Sequence, residues 1–146
     1  MTTNPKLNLD RIDDIDLEQG KSILIIETPG SRKAITLNTS IFSIGRQANN
    51  SLVINDKLIS RHHATIAWLK EQNERIEDSK SAYWIIDGKG AENRSRNGIW
   101  INGTRKVLHK LVSGDIIGLG TDLQLTYRYI PQNTERDRLL KTVYYL

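Results

Sequence analysis

No cysteine occurs among the 146 residues, which excludes disulfides, thiolate metal sites and a cysteine nucleophile. That absence fits a reducing compartment. The three histidines, His62, His63 and His109, have no thiols to join them and do not read as a metal set. Long apolar runs are missing too: the longest, around Ile23 to Ile26, falls far short of a bilayer span, and the N-terminus carries no signal-peptide core. These absences predict a soluble, cytoplasmic protein with no membrane association. No nucleophile with a paired base and no glycine-rich strand-to-helix phosphate loop stands out, so no enzyme and no cofactor is expected. Without a recognition helix or an aromatic stacking platform, nucleic acid is a poor fit as partner.

What is present is short, β-branched and regularly punctuated. A chain of 146 residues suits one domain plus tails. Residues 1–20 are polar and acidic, with two basic against five acidic residues for a net of −3; the remainder therefore carries +7 of the overall +4. We expect a mostly flexible arm over 1–20, a domain over 21–130 and a tail over 131–146. Such a basic body suits an anionic partner, though ordinary solubility also explains it.

From Ser22 onward, turn residues recur every eight to twelve positions, which predicts an all-β sandwich of two antiparallel sheets. The expected strands are Ser22 to Glu27, Lys33 to Leu37, Ile41 to Gly45, Ser51 to Ile54, Ala64 to Leu69, Tyr83 to Asp87, Ile99 to Ile101, Asp115 to Leu119 and Leu123 to Tyr129. In the last, Leu123, Leu125, Tyr127 and Tyr129 alternate with Gln124, Thr126 and Arg128, the mark of one buried face. Asn102-Gly103 is a strong two-residue hairpin signal, since both residues tolerate positive φ. Beyond Pro131, Thr134 is placed to cap a short helix whose Leu139, Leu140, Val143 and Tyr144 share a face. That face either packs on the domain or serves a partner or self-association through the tails.

Three motifs carry the chemistry: Gly45-Arg46, Ser60-Arg61-His62-His63, and Ser95-Arg96-Asn97-Gly98 running on to Asn102-Gly103. A phosphate monoester carries nearly two negative charges and three acceptor oxygens, so its site needs guanidinium forks and a hydroxyl donor on a rigid frame. Arg46, Ser60 and Arg61 supply those groups. Asn97, an amide that donates and accepts at once, suits the main chain of an extended peptide. Each residue also has a plainer reading: Arg46 as a surface arginine paired with a loop carboxylate, Ser60 as a turn serine, Asn97-Gly98 as a ligand-free turn.

In this order and spacing the motifs resemble the forkhead-associated (FHA) domain, from about Ser22 to Tyr129. The closing Ser113-Gly114-Asp115-Ile116-Ile117-Gly118-Leu119-Gly120 belongs to the same likeness. The resemblance implies a phosphothreonine reader of β-sandwich fold. Arg46 would be its principal phosphate ligand, Ser60 would bind a phosphate oxygen, Arg61 would assist, and Asn97 would clamp the peptide. His63 would act as scaffold, with Gly45, Gly98, Asn102 and Gly103 as structural support; His62 and His109 read as ordinary surface residues. A small recess for the threonine methyl is implied by the fold. Three features depart from the family: Arg96 stands where serine or threonine is usual, adding a cation to the pocket or turning outward; Ile99 replaces a threonine that braces the loop; and the expanded Gly88 to Arg94 segment is expected to reshape the surface that reads residues beyond the phosphothreonine. The resemblance thus implies a non-catalytic adaptor in serine/threonine kinase signalling whose partner is a phosphothreonine-containing protein or peptide. A phosphate-independent interaction domain is the alternative, and a nucleic-acid-binding domain a weaker one.

Overall fold

A computed structural model describes residues 5–7, 20–71 and 81–131. They form twelve strands: β1 (Pro5–Leu7), β2 (Lys21–Thr28), β3 (Ser31–Leu37), β4 (Ile41–Gly45), β5 (Leu52–Val53), β6 (Ala64–Glu71), β7 (Ser81–Asp87), β8 (Ile99–Ile101), β9 (Thr104–Lys106), β10 (Leu108–Lys110), β11 (Ile116–Gly118) and β12 (Gln124–Ile130). One sheet runs β10-β7-β6-β4-β5, with β1 also on β6; the other runs β3-β2-β12-β11-β8-β9. The all-β sandwich is as expected. Pairing is antiparallel except for the short parallel contact between β4 and β5.

Alternating side chains explain the layering. Leu24, Ile26, Leu125 and Tyr127 from one sheet and Phe42, Ile44, Ile66, Tyr83 and Ile85 from the other join one buried cluster. Each such side chain stabilises the fold by about 1.5–3 kcal/mol on leaving water. Thr126 is buried as well and Tyr129 is exposed, so burial along β12 holds for its middle at Leu125 to Tyr127 and does not follow the expected alternation to its end.

The nine expected strands correspond to β2 through β8, β11 and β12, with β4 and β8 at their expected bounds. Unforeseen are β1, inside the expected arm and paired with Leu69–Glu71 of β6, and β10, at the sheet edge beside β7. Neither shows a sustained apolar alternation, because three residues are too few to establish a period. Residues 8–19 of the arm and the expected helix over Thr134 to Tyr144 lie outside the described residues.

Strand direction gathers the functional loops. The C-terminal ends of β4 and β7 and the N-terminal ends of β6 and β8 lie at one end of the sandwich. The connections 46–51, 54–63 and 88–98 therefore share a rim. β1 meets β6 toward the opposite end, so this part of the arm is anchored away from those loops.

Candidate functional site

The rim is built by backbone hydrogen bonds between loops distant in sequence. Arg46 N–H donates to the Ser60 carbonyl at 3.0 Å, Gln47 N–H to Arg61 at 3.3 Å, and His63 N–H to Ile44 at 2.8 Å. So close an approach requires Gly45, since a Cβ there would overlap the Arg61 carbonyl oxygen and come within 2.7 Å of Asn50 Nδ2. Asn50, buried, donates through Nδ2 to the carbonyls of Gln47 at 2.8 Å and Arg61 at 2.7 Å. Its Oδ1 is left to accept from His62 Nδ1 at 3.0 Å. Burial, helped by the Lys89 charge, lowers the pKa of His62.

His63 joins the second loop to the third. The fully buried ring accepts from Ser60 N–H on Nδ1 at 3.0 Å and donates from Nε2 to the Gly98 carbonyl at 2.8 Å. These partners require the neutral Nε2–H tautomer. Burial lowers its pKa, and the opposing pull of the Gly98 carbonyl and the Asp87 carboxylate does not reverse this. Gly98 lies at φ +80°, and a Cβ there would sit 2.8 Å from Arg105 Cζ. Position 99 contributes no hydroxyl; Ile99 is wholly in the core. Ser95 braces the loop instead, its hydroxyl donating to buried Asp87 and accepting from Gly98 N–H at 2.9 Å.

On this frame the functional groups face one open cleft of about 630 Å³. Arg46, Ser60, Arg61 and Arg96 all line it, together with Lys57, Leu58, Lys89 and Arg94. Arg46 is anchored through Nε–H to the Ile59 carbonyl at 3.1 Å, and its terminal nitrogens have no hydrogen-bond partner among the described residues. It makes no ion pair among the described residues, unlike the surface pairing considered from sequence. Ser60 Oγ accepts from Arg96 N–H at 2.9 Å, and its own proton has no acceptor among the described residues. The plain turn-serine reading therefore does not describe this hydroxyl. Of the two settings expected for Arg96, the structure has it among the residues that line the cleft.

Asn97 stands beside the cleft, not in its lining. One amide N–H donates to the Leu58 carbonyl at 2.8 Å, so part of its capacity is spent bridging two loops; Oδ1 has no partner among the described residues. Asn102 and Gly103 are not support for this rim. They form the β8–β9 turn at φ 51° and 84°, separated from Gly98 by about 10 Å of extended strand. Asn102 instead bonds Asp115 at 3.0 Å and Ile116 N–H at 2.9 Å. Burial of Asp115 would raise its pKa, but the Val112, His109 and Asn102 hydrogen bonds outweigh that and hold it low. His62 and His109, expected as ordinary surface residues, are both half-buried and partnered: His62 bonds Asn50 at 3.0 Å and His109 bonds Asp115 at 2.8 Å.

Sequence reasoning missed Asn50, Asp87 and Ser95 as framework and Lys57 as lining; it pointed to the Gly88 to Arg94 segment without singling out Lys89 and Arg94. Ser95 lay within a quoted motif, whereas nothing local to Asn50 points to a carbonyl eleven positions away. Among the described residues, no group of three or more histidine or acidic side chains is arranged to hold a metal ion. No helix of these residues is long and apolar enough to cross a membrane.

A sandwich with an anion-friendly cleft at its loop rim is the class that fold and site define. The model of the FHA domain matches residues 42–120, more than half of the chain. The chain belongs to the FHA domain family, whose members are interaction modules. The uncharacterised protein sll1895 of Synechocystis is 42% identical over 108 residues, which make up 74% of this chain but 15% of that protein. This chain thus spans a small part of that relative's length. The crystal structure of the Slr1951 protein, also from Synechocystis, is 31% identical, with 75% of this chain and 98% of that chain covered and a TM-score of 0.61. The yeast Dun1 FHA domain, solved in complex with a doubly phosphorylated peptide derived from Rad53, shares the fold at 22% identity, 89% and 86% coverage and a TM-score of 0.57.

Proposed function

We propose that this chain binds phosphothreonine peptides in the cleft and acts as a non-catalytic adaptor in serine/threonine kinase signalling. One observation carries the reading. The Ser60 hydroxyl, held by Arg96 N–H, keeps a free proton beside the Nε-anchored guanidinium of Arg46, in a cleft lined by cations and no carboxylate. A tetrahedral dianion satisfies that donor set, because its oxygens accept from both guanidinium and hydroxyl while its charge offsets the crowding of like charges. Arg61 and Arg96 add charge from the same rim. Asn97 Oδ1, which keeps no partner among the described residues, accepts from the main chain of an extended ligand in this reading.

Hydrogen bonds to charged groups are worth about 1.5–3 kcal/mol, so Arg46→Ala weakens phosphothreonine-peptide binding by roughly ten- to a hundred-fold or more. Titrating native and variant protein with peptides captured from a phosphothreonine array measures the difference. Equal affinities, or equal binding of phosphorylated and unphosphorylated peptide by the native protein, would overturn the proposal in favour of a phosphate-independent interaction domain.

A further inference from the structure

The cleft holds more positive charge than one phosphate uses. Arg46, Lys57, Arg61, Lys89, Arg94 and Arg96 all line it, and no acidic residue does. A phosphothreonine brings about −1.5 to −2 charge at neutral pH, so it offsets two of these cations and leaves the others repelling one another. Arg46, Ser60 and Arg61 line the cleft from the two loops joined by the Arg46-to-Ser60 and Gln47-to-Arg61 backbone hydrogen bonds. Lys89 and Arg94 lie on a different loop, the segment that follows β7.

That loop is fastened at many points. Gly88 N–H donates to the His63 carbonyl at 2.8 Å, and Thr65 Oγ1 donates to the Gly88 carbonyl at 2.7 Å. Lys89 N–H donates to Asn93 at 2.9 Å, Asn93 N–H to Gly90 at 3.1 Å, and Gly90 N–H to Asp87 at 3.2 Å. Asp87 in turn holds Ser95, whose hydroxyl receives Gly98 N–H. Lys89 and Arg94 therefore stand on the same hydrogen-bonded hub that fixes the Ser60 and Gly98 loops. Neither makes an ion pair among the described residues, and Glu92 of the same loop does not line the cleft. The Lys89 charge reaches the site, since it contributes with burial to lowering the His62 pKa.

Resting on the phosphothreonine reading, we propose that Lys89 and Arg94 form a second anion subsite, so that the preferred ligand is an extended peptide bearing another negatively charged side chain near its phosphothreonine. A second phosphate and a carboxylate share the chemistry that two rim cations recognise. Both side chains are exposed, so each contact is modest and screened by salt.

The test uses the full chain and three peptide sets at low ionic strength. One carries a single phosphothreonine in an otherwise neutral sequence. The second adds phosphoserine, and the third aspartate, in turn at each neighbouring position on either side. Native protein binds the best member of the second or third set roughly five- to twenty-fold more tightly than the singly charged peptide, which corresponds to one or two partly screened charge contacts. In Lys89→Ala/Arg94→Ala this gain, read as the ratio of the two affinities measured on the same variant, falls to about twofold or less. Gain from the phosphoserine set alone assigns the subsite to phosphate, gain from both sets to anions in general. Binding of the single phosphothreonine with no gain from any second anion overturns the subsite and leaves the proposed function standing. A gain that persists undiminished in the double variant also overturns it. Failure of native protein to bind any phosphothreonine peptide overturns the underlying function and the subsite with it.

Discussion

Replacing His63 with alanine probes the joint on which the rim depends. The wholly buried ring makes two hydrogen bonds, from Ser60 N–H at 3.0 Å and to the Gly98 carbonyl at 2.8 Å, and alanine makes neither. A buried polar group left unpaired costs about 1–3 kcal/mol, and the vacated ring volume adds a cavity cost, partly relieved where water enters. We expect a loss of about 3 to 5 kcal/mol, large against a typical total of about 5–15 kcal/mol. Denaturant unfolding followed by tryptophan fluorescence reads this as a lower midpoint with an unchanged slope. The same comparison across pH isolates the imidazole. In the unfolded chain His63 takes up a proton as pH falls below its ordinary value of 6.5, whereas the folded ring resists until a lower pH. The unfolded state therefore binds more protons in that window, and native stability declines as pH drops below 6.5, by at most about 1.36 kcal/mol per pH unit. The decline ends below the folded pKa, where both states are protonated. The native-minus-variant difference carries this slope because His62, Asp115 and the other titrating groups are common to both proteins. A midpoint change worth less than about 1 kcal/mol, or a difference with no pH dependence between 6.5 and the acid limb, would refute the scaffold role.

Other substitutions separate framework from ligand contact. Gly45→Ala drives a methyl into the Arg61 carbonyl and Asn50, so it lowers stability by about 1–3 kcal/mol and weakens phosphopeptide binding as the two loops part; thermal melts and peptide titration read both effects. Asn102→Ala breaks the Asp115 and Ile116 hydrogen bonds far from the cleft, costing about 1–3 kcal/mol in a melt while leaving phosphopeptide affinity within about twofold. Exchanging phosphothreonine for phosphoserine in the best peptide removes one methyl from the implied recess and weakens binding by roughly ten- to a hundred-fold in the same titration; equal binding would show that no recess reads it.

The sheet architecture was legible because its signals are local. Period-two alternation marked β12, β-branched runs marked β2 and β6, and Asn102-Gly103 marked a tight hairpin whose two residues do adopt positive φ. The short edge strands β1 and β10 escaped notice, since a three-residue segment beside another strand is defined by its neighbour's backbone more than by its own side chains. In the site, residue type revealed Arg46, Ser60 and Arg61. Their partners stayed hidden: nothing near Ile59 announces that its carbonyl receives Arg46 Nε–H, and nothing near Leu58 announces the amide of Asn97 from 39 positions on.

From the order of residues alone follow the sandwich class, the three motif-bearing turns and the donor chemistry suited to an oxyanion, because alternation and side-chain type are properties of short stretches. Tertiary pairing decided which of those donors remain free. The Arg96 backbone claims one lone pair of Ser60 and leaves its proton without an acceptor among the described residues, Leu58 occupies part of Asn97, and the β7-to-β8 loop carries Lys89 and Arg94 to the same cleft. Charge summed along a chain does not show where cations meet, since their convergence is set by hydrogen bonds between loops and the energy of a site depends on distance.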